Sequence, residues 1–69
     1  MIRPEFKVHM LNAAGKAKAA AIAEGFSTLL DGLEANGVTG RDLALVKTKL
    51  EEACFCAKRG MASLPENQE

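Results

Sequence analysis

From Gly40 onward the chain places apolar residues at alternating three- and four-residue steps: Leu43, Val46, Leu50, Ala53, Ala57, Met61 and Leu64. That spacing predicts a helix with one apolar stripe. At 100° per residue, Leu45, Thr48, Phe55 and Arg59 fall nearly opposite the stripe, with Arg41 in the same row. A helix with two faces that each need a neighbour constrains the fold strongly, because a single partner helix covers only one of them. The chain has 69 residues, enough for one such partner and little else.

The partner is legible upstream. Asn12 is a suitable N-cap for an Ala-rich run. Behind it, Leu11, Gly15, Ala19, Ile22, Phe26, Leu29 and Leu33 share one face. Gly15 and Gly25 weaken the early turns, each by about 1 kcal/mol against Ala in a helix interior. Asn36-Gly37 is a stop signal, and Thr39 is placed to cap the next helix. The reading is a single all-α domain: a leader over 1–11, helix one over 12–36, helix two over 40–63 and a frayed tail over 64–69. The leader is extended or a short helix, since Pro4 disfavours helix at Arg3. The short connection makes an antiparallel two-helix hairpin the natural pairing.

Two such rods form a ribbon, and in isolation Leu45 and Phe55 face water. Burying side chains of that size is worth about 1.5–3 kcal/mol each. Assembly into a symmetric homo-oligomer is the expected remedy for so small a chain.

Composition removes several function classes. Lys+Arg and Asp+Glu number 9 each, so there is no broad basic footprint for duplex nucleic acid. Trp and Tyr are absent and Phe numbers 3, which argues against an aromatic platform for single strands. No apolar run approaches the ~20 residues of a membrane span, and the first residues lack the core of a secretion signal. A cytoplasmic setting with reduced thiols is the expectation.

No catalytic pattern emerges. Cys54 and Cys56 diverge by about 200° on a helix and cannot pair with each other. Together with His9 they give no zinc spacing. They are expected to be buried or half-buried structural thiols. The chain reads as no enzyme, with no metal and no cofactor.

Four residues are candidates for a ligand site, three for an anion and Phe6 for a base; the alternative for Arg41 and Thr48 is a solvated charge and a packing residue. Arg41 stands at the start of helix two, where free backbone N–H groups and the helix dipole favour negative charge. Thr48 follows two turns on along the same face, and a guanidinium with a hydroxyl makes a phosphate clamp. Lys18 flanks the apolar face of helix one near Gly15. It can reach a phosphate over that face or snorkel with its stem packed. Phe6 in the leader can stack on a base or staple the leader to the helices.

The run Gly40-Arg41-x-Leu43-Ala44-x-x-Lys47-Thr48-x-Leu50 with Ala57-Lys58-Arg59-Gly60-Met61-Ala62, and more weakly Phe26-Ser27-Thr28-Leu29-Leu30-Asp31-Gly32-Leu33 with Phe6, resembles the small phage anti-CBASS proteins that act as cyclic-oligonucleotide sponges. The resemblance spans about residues 6–62. It implies a homohexamer of helical hairpins that binds cyclic dinucleotides between subunits, and in some members cyclic trinucleotides at threefold pockets, without cleaving them. The effector of bacterial CBASS antiphage signalling is thereby starved of its messenger, in the host cytoplasm if the chain is phage-encoded. By the same resemblance Phe6 and Lys18 belong to the dinucleotide site, and Arg41 and Thr48 to the trinucleotide site. Three positions depart from the family pattern: Phe6 stands for a tyrosine, Val46 for a glycine, and the family lysine aligns nearest to Ala20. The alternative, from the residues alone, is a helical oligomerisation or adaptor module that binds a protein through the Leu45/Phe55 stripe.

Overall fold

The computed structural model describes residues 10–69. Two helices, α1 (Ala13–Ala35) and α2 (Gly40–Ala62), pack as a hairpin, and a 3-10 helix (Pro65–Asn67) follows. Among the described residues the only β feature is an isolated antiparallel bridge between Leu11 and Gln68.

The caps explain where α1 begins and ends. Asn12 has extended backbone, and its side chain accepts from the Gly15 N–H at 2.8 Å. That satisfies one of the four free donors of the first turn. At the other end the chain turns through Gly37 at φ 93°, a conformation that costs glycine little and other residues more. Thr39 has extended backbone at the start of α2, yet its side chain makes no capping hydrogen bond.

The molecule measures 47 × 25 × 11 Å. Its thinnest dimension is that of one helix with side chains, about 10–12 Å. A layer one helix thick has almost no interior. Met61 is the only buried hydrophobic side chain among the described residues, at 9% exposure.

The seam departs from its expected course halfway along. On α2 the less exposed positions are Leu43, Val46, Leu50, Cys54, Lys58 and Met61, whereas Ala53, Ala57 and Leu64 are exposed. On α1 they include Gly15, Ala19, Ile22, Phe26, Leu30 and Leu33, with Leu29 exposed. Both observed series average about 3.6 residues per step, the period of a straight helix. The expected α2 series kept the 3.5 period of a supercoiled seam, which drifts off the contact line within a few turns.

The tail also corrects the expectation. Residues 64–69 are not frayed: Asn67 is completely buried, and the segment returns to the start of α1. The Asn12 N–H donates to the Asn67 carbonyl at 3.0 Å, and the Glu69 N–H to the Met10 carbonyl at 2.9 Å. Gly15 makes this approach possible, since a Cβ there would collide with the Asn67 carbonyl oxygen. The glycine that weakens the helix is the one that admits the tail.

Candidate functional site

Arg41 and Thr48 both lie exposed on α2. Leu45, at 47% exposure, shares their row on the side of α2 away from α1, and Phe55, at 69%, continues the row towards a groove that it lines together with Leu11 and Ala19. Two turns separate Arg41 from Thr48, about 10 Å along the axis. The Thr48 hydroxyl donates to the Ala44 carbonyl one turn back, at 3.2 Å. Its oxygen keeps free lone pairs and the bond holds it on the helix surface. Asp42 sits beside Arg41 in the first turn and complements the positive end of α2.

Lys18 belongs to a different place. It is exposed on α1, and its ammonium donates to Asn67 Oδ1 at 2.6 Å. From Lys18 to the turn that carries Arg41 is roughly 20 Å or more along the hairpin. The two candidate cations therefore cannot grip one small ligand within a single chain. Phe6 lies outside the described residues.

Sequence reasoning missed the polar cluster that receives Lys18. Asn12 Nδ2 donates to the carbonyls of Glu66, at 2.9 Å, and Gln68, at 3.1 Å. Asn67 Nδ2 donates to the Met61 carbonyl at 2.9 Å, and Gln68 Nε2 to the Ala62 carbonyl at 2.9 Å. No buried side-chain nitrogen or oxygen among the described residues lacks a partner. The available signal was Gly15 itself, a glycine inside a helical run, which marks a close backbone approach.

A shallow groove of about 260 Å³ opens near this end, floored by Leu11, Ala19, Met61 and Ala62, with Phe55, Lys58 and Arg59 at its margin. Arg59 Nη2 also lies 3.8 Å from Cys56 Sγ. Cys56 is exposed, against the expectation of a buried or half-buried thiol, because two residues of helix rotate it away from half-buried Cys54. Both thiols are free. Among the described residues no group of three or more His, Cys, Asp or Glu is placed to hold a metal ion. No described helix is long and apolar enough to cross a membrane.

These positions sort the candidates into an outer edge carrying Arg41 and Thr48 and a chain-terminal cluster that holds Lys18. No family model, curated protein or solved structure matches the chain.

Proposed function

We propose that this protein is a non-catalytic sponge for cyclic di- or trinucleotide messengers, working as a symmetric homo-oligomer and countering CBASS-type signalling. The observation that carries the reading is the outer edge of α2. Leu45 stands exposed there between Arg41 and Thr48, and Phe55 stands exposed two turns beyond Thr48. Apolar side chains that a ribbon of 11 Å thickness leaves in water favour contact between copies. Arg41 and Thr48 would then repeat around a symmetry axis, as the phosphates of a cyclic ligand repeat. The anti-CBASS resemblance supplies the ligand class and the expected hexamer. Sequestration needs affinity and copy number, with no general base or nucleophile.

Calorimetry against a panel of cyclic di- and trinucleotides tests the reading. At least one should bind tightly and be recovered intact after denaturation, and Arg41→Ala should lose one ligand class while the assembly keeps its mass. A panel with no binder refutes it. Phe55, at 69% exposure, also favours a second reading as an adaptor. That reading predicts no nucleotide heat, and a specific partner protein whose binding is lost on Phe55→Ala.

A further inference from the structure

We infer that Pro65–Asn67 and the residues after it form a latch that withholds the Lys18 amine, with Gly15 as its seat. Three observations converge. The Lys18 ammonium donates to Asn67 Oδ1 at 2.6 Å, a charge-assisted bond. Asn67 has no exposed surface, so drawing Lys18 away strands a buried acceptor. The segment is held along its length. Asn12 takes the Glu66 and Gln68 carbonyls through its side chain and the Asn67 carbonyl through its backbone, while Asn67 Nδ2 donates to the Met61 carbonyl.

The closed state depends on a missing atom. Any Cβ at residue 15 would collide with the Asn67 carbonyl oxygen and press on Leu11, whose Cδ2 lies 3.0 Å from that position. Latched, Lys18 is part of the fold. Released, it becomes a free cation on α1, close to the groove bounded by Lys58 and Arg59. Tail release therefore frees an ammonium that is charged in both states to turn towards an anion, with no change in the helices. This inference does not depend on the sponge reading, because the amine can be probed with no ligand present.

The test is pulse acetylation of the full-length chain, with site occupancy read by tandem mass spectrometry. Lys16, exposed on the same helix, is the internal standard. In the wild type Lys18 should react about three- to tenfold more slowly than Lys16, the range of an ordinary net hydrogen bond at an exposed lysine. Asn67→Ala and Gly15→Ala should each bring the ratio close to one. Gly15→Ala favours helix formation, so it keeps the test decisive if Asn67→Ala fails to fold. Circular dichroism on each variant verifies that the helices persist. Equal reactivity of Lys16 and Lys18 in the wild type, or a ratio unchanged in the folded variants, overturns the latch.

Discussion

The chain-terminal end of the hairpin and the outer edge of α2 solve opposite problems. At the chain ends every buried polar side-chain atom among the described residues has a partner, and Asn67 and Met61 are shielded from water. Along the outer row of α2 Leu45 is left in solvent between Arg41 and Thr48, and Phe55 beyond them. One region satisfies its buried polar groups within a single chain, with Met10 and Leu64 beside it still exposed. The other leaves apolar surface uncovered within the single chain. The 69-residue chain uses long-range hydrogen bonds to seal one end, yet Phe55 is the most exposed large hydrophobic side chain among the described residues, and under the proposed reading a second copy covers it.

The largest expected effect breaks the complete end. Asn67→Ala removes the acceptor for Lys18 and one of two donors to the Met61 carbonyl, which keeps the Leu64 N–H, and it empties the space of a fully buried amide. Loss of about 2–3 kcal/mol is expected in urea unfolding at fixed protomer concentration. A loss under about 0.5 kcal/mol would mean that the tail contributes little to the fold. Asn12→Ala should follow, at about 1–2 kcal/mol, from the lost cap and the two lost tail bonds.

Gly25→Ala sharpens the comparison from a broad face of the ribbon. A Cβ there meets nothing within 4 Å in the single chain. If copies meet across the outer edge of α2, this substitution gains up to about 1 kcal/mol of helix propensity. A net loss in thermal unfolding would instead place a neighbouring copy against that face. Smallest of all, Arg41→Ala should change stability by less than about 0.5 kcal/mol, as an exposed substitution does, while removing affinity for one class of cyclic nucleotide.

Much of the fold was legible before any coordinates. Asn12 capped where its side chain allowed, and Asn36-Gly37 ended α1 where φ had to turn positive. On α1 the expected seam missed only at Leu29; on α2 Leu43, Val46, Leu50 and Met61 were right while Ala53, Ala57 and Leu64 were not, because an assumed 3.5 period and a real 3.6 period part company after two or three turns. The tail was not legible. Pro65 and the polar residues after it carry no periodicity, and their bonds join residues as far apart as Met10 and Glu69. Local pattern says nothing about partners at that separation. Of the candidate site residues, the exposed row of Arg41 and Thr48 was readable from helical geometry alone. The commitment of Lys18 to Asn67 was not, since nothing near Lys18 in sequence announces the acceptor.

The claim that the outer edge of α2 is an interface is tested most directly by light-scattering mass at micromolar concentration, for the wild type and for Phe55→Glu. A single chain weighs 7.3 kDa. The wild type should give a stable multiple of that mass, and a buried glutamate in place of Phe55 should collapse it towards one chain. A wild-type protein that stays at 7.3 kDa, fully folded, would contradict the account.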